Sequence, residues 1–353
     1  MNKLIDNQIL RAAAAIVLAI TPLAAAAQTA TPRPPDKKTS YPPYPEAPIS
    51  RPATPAPYPK PDPVTHGSFE RSIKVDPQIN LILSCVREGT VKVNGWNRNE
   101  VRVLIDEGSK FAFSTLEKNP KTGEPVWIKV VSVESKNKYG SNNECISGGE
   151  IQVDAPVSAA VTIKGYDIAT TVDAIRKVEV AITGGDVAVR NVAKGVKVSA
   201  GRGDVTVDSS QGAMDLLTTT GNIMVFQGGP SEFGDDFRAK TTNGAIALQS
   251  LEYRKTTVNS ISGSVAYTGE IKSSGSYAMT TNRGSLRLTI PERSSFQMWA
   301  TYGSGTFFSE LPVDLATENI TPGPIKTIRG KLGSNDATLK LETTNGSILI
   351  KKM

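Results

Sequence analysis

Residues 241–248 read TTNGAIAL and residues 343–350 read TTNGSILI, two copies of a phrase that recurs through the second half of the chain. Other copies are TGGDVAV from Thr183, SAGRGDVTV from Ser199, TTGNIMV from Thr219, SISGSVAY from Ser260 and TTNRGSLRL from Thr280, with a degenerate TYGSGTFF from Thr301. The anchoring glycines are Gly185, Gly203, Gly221, Gly244, Gly263, Gly284, Gly305 and Gly346, spaced 18, 18, 23, 19, 21, 21 and 41 residues apart. A near-constant period in this range is the signature of a stacked repeat. The spacing of 41 reads as two periods with one phrase lost.

After each glycine, residues two apart are apolar, as in Val187 and Val189, Ile223 and Val225, or Ile348 and Ile350. Period two places each pair on one face of a strand. Thr206, Ala266 and Arg287 fall between the pairs and face outward, with Met224 and Leu349 in equivalent places. The glycine suits a tight turn with positive φ, which Asn also tolerates, and Asn243-Gly244 and Asn345-Gly346 offer both. The Thr and Ser residues before it suit strands and invite hydrogen-bonded ladders between coils.

The pattern predicts an all-β chain whose repeats form a β-solenoid with coils of roughly 20 residues. Asn-Gly between β segments is also a hairpin signal, so an antiparallel β-sandwich is the alternative. The persistence of one turn at one place in eight phrases favours the solenoid.

Working outward, residues 1–27 combine Lys3 and Arg11, an apolar run from Ala12 to Ile20, and Ala25-Ala26-Ala27 before Gln28. This predicts a signal peptide cleaved between Ala27 and Gln28. The run is too short to span a bilayer, which needs about 20 apolar residues. The expectation is an exported chain, periplasmic, cell-surface or secreted, with no transmembrane span once mature. Residues 28–66 hold 13 of the 23 prolines and read as a disordered linker acting as an extended spacer. Residues 67–156 form an N-terminal β section with turn chemistry at Asp76-Pro77, Asn94-Gly95, 121–123 and 140–143, including a segment at 106–125 with no evident role. Residues 157–353 form the repeat solenoid. In an oxidising compartment Cys85 and Cys145 are expected to pair. A loop of about 60 residues closed this way contributes roughly 4 kcal/mol on the chain-entropy model.

The segment REGTVKVNGWNRNEVRVLI from Arg87, with its Gly95-Trp96 turn, the Gly-Asp-Val and Asn-Gly-Ile phrases, and the stretches PERSSFQMWATYGSGTFFSELPV from Pro291 and GKLGSNDATLKLETTNGSILIKK from Gly330 together resemble the bacterial putative-adhesin family of β-strand repeats. The resemblance runs from about Gly67 to Met353. It implies a β-helix or related repeat fold on an exported or envelope-associated protein, and it brings no catalytic residues.

The formal charge is +6, and removing a leader containing Lys3, Asp6 and Arg11 leaves +5. Lys and Arg are interspersed with Asp and Glu, which argues against a nucleic-acid surface. The lone histidine, His66, excludes a Ser-His-Asp or Cys-His site and a multi-histidine metal site within the fold. No cofactor and no metal is expected. Paired carboxylates on a β-helix are the enzymatic alternative, with Asp186, Asp204, Asp215, Asp235 and Asp236 as candidates. The Gly184-Gly185-Asp186-Val187 fragment falls short of the calcium-binding nonapeptide. Arg202-Gly203-Asp204 is explained by the repeat apart from Arg202, and Tyr41, Tyr44 and Tyr58 by the linker's composition.

The sequence thus favours a non-enzymatic, adhesin-like binding or scaffold module of the cell envelope, with a glycan or protein ligand. The alternatives are a glycan-active enzyme and an envelope stress or signalling component working through a protein partner. Function belongs in what varies between coils: Asp186, Arg202, Asp204, Met224, Arg287 and the section before the repeats.

Overall fold

Parallel pairing runs through the repeats without interruption. Val196–Arg202 lies between Lys177–Gly184 and Met214–Thr220, and Val205–Asp208 lies between Val187–Arg190 and Ile223–Phe226, all in parallel. The structure, a computed structural model, describes residues 67–133, 145–232, 234–318, 325–334 and 336–353. The leader, its Ala27/Gln28 junction, the Pro-rich linker with His66, and the turn at 140–143 lie outside them. Among the described residues all regular structure is β, in a sheet of 25 strands. The chain is a β-solenoid. The repeats are parallel rungs and not the antiparallel hairpins a sandwich needs.

Each rung has two legs joined at the glycine. The period-two apolar residues point inward and are buried, among them Val187, Val205, Ile223, Ile246, Val265, Leu286 and Ile348. Full burial of one such side chain stabilises by roughly 1.5–3 kcal/mol. Thr206, Met224, Ala266, Arg287 and Leu349 share the outer face of the second leg, matching the alternation.

The glycine corner is set mainly by space. A Cβ on Gly203, Gly221, Gly244, Gly263, Gly284 or Gly346 would overlap the carbonyl of the corner glycine on the adjacent rung. Gly221 and Gly263 have φ of 150° and 155°, but Gly244 and Gly346 are not in the positive-φ region, so dihedral freedom is not their common requirement. The same carbonyls accept hydrogen bonds from buried hydroxyls three residues before the next glycine. Thr218 Oγ1 donates to Gly203 (3.1 Å), Thr241 to Gly221 (2.9 Å), Ser260 Oγ to Gly244 (2.9 Å), Thr281 to Gly263 (2.8 Å) and Thr343 to Gly284 (2.9 Å). The Thr of the phrase is therefore bonded to a neighbouring glycine, not to another Thr.

The sheet crosses the pattern change at 156/157 unbroken. Asn80–Trp96 is a rung in register with Ala160–Asp173, and Gly89 is its corner. The strand passes through Asn94-Gly95, so the expected turn there is absent, and Gly95 instead packs against the Ala174 carbonyl. On its other side Asn80–Trp96 pairs with Pro125–Ser132 and Glu150–Pro156. A disulfide joins Cys85 on this rung to Cys145 on the neighbouring segment, where the Ile146 N–H donates to the Cys85 carbonyl and the Arg87 N–H to the Ile146 carbonyl.

Antiparallel strands close the ends. Phe111–Lys118, inside the segment at 106–125, caps Pro125–Ser132, while Glu100–Asp106 caps Glu150–Pro156 and is itself paired on its other edge with Phe69–Lys74. That segment covers an otherwise open edge, where unpaired backbone invites association. At the far end the rung order departs from chain order. Ala337–Asn345 inserts between Ser276–Arg283 and Phe296–Ser304, and Ile348–Lys352 likewise separates Leu286–Ile290 from Phe307–Ser309. Asp314–Glu318 and Lys326–Leu332 make an antiparallel cap on Phe296–Ser304. No phrase is lost in the spacing of 41; it holds the cap and the return.

Burial pushes the Tyr253, Tyr267 and Tyr277 phenols above their usual value. Their hydroxyls donate to the carbonyls of Gly212 (2.7 Å), Glu270 (2.8 Å) and Tyr253 (3.0 Å) respectively. A folded pKa above the unfolded value of about 10 means the stabilisation is intact below that pH and is lost as pH rises through the folded pKa. Titration to alkaline pH should therefore show these three tyrosines ionising together with loss of the β circular-dichroism signal. All nine tyrosines titrating near pH 10 with the β signal intact would contradict it.

The corner gives a second expectation. Thr241→Val removes one hydroxyl donor and should cost about 1–2 kcal/mol, whereas Gly244→Ala should cost roughly 2–4 kcal/mol because the rungs must part. Denaturant midpoints measure both, and the order reverses if space is not the constraint.

Candidate functional site

The carboxylates singled out in the sequence do not form one site. Asp186 and Asp204 stack at the glycine corner, where each works as a backbone acceptor. Asp186 Oδ1 accepts the Asp204 N–H (2.8 Å), Asp204 Oδ1 accepts the Asn222 N–H (2.7 Å), and Asn222 Oδ1 accepts the Ala245 N–H (2.9 Å). Farther along, Ser264, Ser285 and Ser347 hydroxyl oxygens accept the N–H groups of Ser285 (3.2 Å), Ser347 (3.3 Å) and Thr306 (3.2 Å). The residue after the glycine thus builds a side-chain ladder, which explains why Asp, Asn and Ser recur there. In Arg202-Gly203-Asp204 the aspartate is engaged in this ladder.

Asp235 accepts the Arg254 N–H (2.9 Å) and lies 3.5 Å from its guanidinium. Asp236 pairs with Lys255 at 2.9 Å. Asp215 sits on the outer face of the first leg, in register with Lys197 on one side and Arg238 on the other. Met224 and Arg287 lie on the second leg's outer face, remote in register from these residues. Among the described residues no group of three His, Cys, Asp or Glu side chains is placed to hold a metal.

What the structure does bring together is a groove of about 360 Å³ on the first leg. Lys177, Lys194, Lys197 and Arg238 line it, with Asp215 and Asp236. Its origin is a gap in an outward column. Lys177 and Asp236 keep long or charged side chains, but Gly195 and Ala213, at the matching place on the rungs between, have little or none. Val196 and Met214, both buried, lie beneath the gap. Lys197 is held by Glu179 (3.1 Å). Among the described residues Lys177 and Arg238 have no ion-pair or hydrogen-bond partner for their side chains.

A second hollow, also about 360 Å³, lies across the Gln211–Ala213 segment and is lined by Ser209, Gln211, Gln227, Ser250 and Glu252 with Gly228 and Gly229. It is formed at the other corner of the rung. There Ser209, Gln227 and Ser250 take φ of 47°, 52° and 56°, as Ala174 and Asn191 do on earlier rungs. Such a backbone costs about 1–3 kcal/mol per residue unless the surroundings hold it. Each N–H is bonded to the next rung, Ser209 to Phe226 (3.0 Å), Gln227 to Gln249 (3.0 Å) and Ser250 to Thr268 (2.8 Å). Ser209 Oγ also donates to Gln227 Oε1 (3.1 Å). Sequence reasoning missed this corner and the groove, because neither carries a repeated residue type; the enlarged spacing of 23 between Gly221 and Gly244 was the one available sign.

A model of the Toastrack DUF4097 family matches residues 87–351. Among solved structures the chain is similar to a putative adhesin from Parabacteroides merdae, with 9% identity over 82% of this chain and 97% of that one and a TM-score of 0.42. It is also similar to a putative adhesin from Bacteroides fragilis, with 12% identity over 81% and 97% and a TM-score of 0.39, and to a putative lipid binding protein from Parabacteroides distasonis, with 13% identity over 82% and 98% and a TM-score of 0.29. No curated protein matches the chain.

The ladder makes a direct prediction. Asp204→Asn keeps the acceptor and should leave the thermal midpoint close to that of the parent, whereas Asp204→Ala loses it and should cost about 1 kcal/mol. Equal destabilisation by both would show that the charge, and not the acceptor, matters.

Proposed function

Because the chain belongs to the Toastrack DUF4097 family, matched over residues 87–351, we propose that it is an exported, non-enzymatic binding module of the cell envelope, adhesin-like, whose contact surface is the first-leg face around the widest coil. The leader is removed between Ala27 and Gln28, and the Pro-rich segment at 28–66 serves as the spacer. The Cys85–Cys145 disulfide supports an oxidising compartment.

One observation carries the reading. Regular corners use their polar side chains to bind backbone, whereas on either side of Gln211–Ala213 gather Lys177 and Arg238, without an ion-pair partner among the described residues, and side-chain hydroxyls and amides that bond at most to one another or to Asp208. A surface of this kind binds through several modest contacts spread over rungs.

The expected result is that the Gln28–Met353 chain co-sediments with isolated envelope material and is released by salt, with retention falling roughly tenfold as ionic strength rises to about 0.5 M. No retention at low salt would overturn the proposal. Asp215 and Asp236 share the groove with cations, which keeps a glycan-cleaving activity as the second reading. Release of reducing ends from envelope glycan by the parent chain, abolished in Asp215→Asn or Asp236→Asn, would replace the binding reading with that one.

A further inference from the structure

We propose that the two hollows form a single site for an acidic glycan, with anionic groups of the saccharide in the cationic groove and its neutral hydroxyls in the polar hollow. This rests on the binding-module reading and names its ligand class.

The chemistry of the two hollows is complementary. In the groove, four cations surround two carboxylates, and the cations without a protein partner among the described residues, Lys177 and Arg238, stand on different rungs at either side of the gap left by Gly195 and Ala213. Cations displaced along the stack suit a linear polyanion better than a single small anion, because neighbouring strands are about 4.8 Å apart and Lys177 and Arg238 are separated by intervening rungs. Val196 and Met214 lie buried beneath the gap, so the groove binds through its charged walls and not through an apolar platform.

On the other side of Gln211–Ala213 the lining is mostly neutral, with Glu252 its one carboxylate. Ser209, Gln211, Gln227 and Ser250 bring hydroxyls and amides, groups that both donate and accept and so match sugar hydroxyls, while Glu252 keeps the anionic groups of the ligand to the cationic groove. The left-handed backbone at Ser209, Gln227 and Ser250 is held by the rung-to-rung bonds, so the positions from which these side chains project are set before a ligand arrives. Gln211 and Ala213 are two residues apart in one segment, and a saccharide of a few units reaches both hollows. The coil that borders them is the one enlarged to a spacing of 23, with Gly228 and Gly229 lining one hollow and Asp236 the other. Insertions in a stacked repeat map to loops on one face, often the binding face.

The test uses the Gln28–Met353 chain with oligogalacturonate, its methyl ester, and vesicles of phosphatidylglycerol or phosphatidylcholine, read by calorimetry. Oligogalacturonate should bind, and the methyl ester at least ~10-fold more weakly. Lys177→Glu with Arg238→Glu should weaken oligogalacturonate binding by ~10-fold or more and flatten its salt dependence. Gln211→Ala with Gln227→Ala should weaken it with the salt dependence unchanged. Circular dichroism and the thermal midpoint of these exposed variants report that they fold. Equal binding of the acid and its ester, indifference to the Lys177 and Arg238 changes, or binding to phosphatidylglycerol vesicles that matches or exceeds that to oligogalacturonate would overturn the inference. If envelope material is retained but oligogalacturonate is not bound, the acidic-glycan inference falls and the binding-module reading stands; if neither binds, both fall.

Discussion

The approach of one corner glycine to the carbonyl of the next governs the whole stack. Gly244 fits over the Gly221 carbonyl only because it lacks a Cβ, and that carbonyl then also accepts the Thr241 hydroxyl. One residue later, Asn222 accepts the Ala245 N–H through its side chain. Three positions of the phrase, the glycine, the residue after it and the hydroxyl three residues before it, thus tie each rung to its neighbour at one edge. The remaining residues are free to satisfy only the inward or outward requirement of their strand. This is why a short phrase persists while the sequence around it drifts.

The same chemistry is indifferent to the order in which the chain supplies its rungs. Gly346 sits on Gly284, and Gly305 sits on Gly346, although Gly305 comes first in the sequence. Every corner offers the same carbonyl and the same space, so spacing alone read the interval of 41 as a missing coil. What fixes the true order is the antiparallel cap, Lys326–Leu332 on Phe296–Ser304, which needs that rung at the end of the stack. The segment at 106–125 is the counterpart at the other end: its role depends on which edge is open, and that is a property of the assembled sheet.

The legibility of the surface divides in the same way. Asp186 and Asp204 were visible as stacked turn residues because they sit beside the glycine, but their use as backbone acceptors required the register between rungs. Gly195 and Ala213 belong to no phrase, and their importance is an absence of side chain next to Lys177 and Asp236. The second corner is harder still. Ala174, Asn191, Ser209, Gln227 and Ser250 share a backbone conformation imposed by the ladder but no single residue type. A conformational column without a residue preference leaves no mark in a sequence.

Along the first leg, Glu179, Lys197, Asp215 and Arg238 alternate in sign from rung to rung. Exposed pairs of this kind are worth only about 0–1 kcal/mol each, so the fold does not depend on them. Opposite charges face each other along this column, whereas in the column that begins at Lys177 the next two rungs supply Gly195 and Ala213, which carry no charge. The stability of the solenoid resides in its buried columns and glycine corner, and the charge pattern on its outer face can change with little effect on folding. The two are separable because they occupy alternate residues of the same strands, which is the property that allows one repeat scaffold to carry different surfaces.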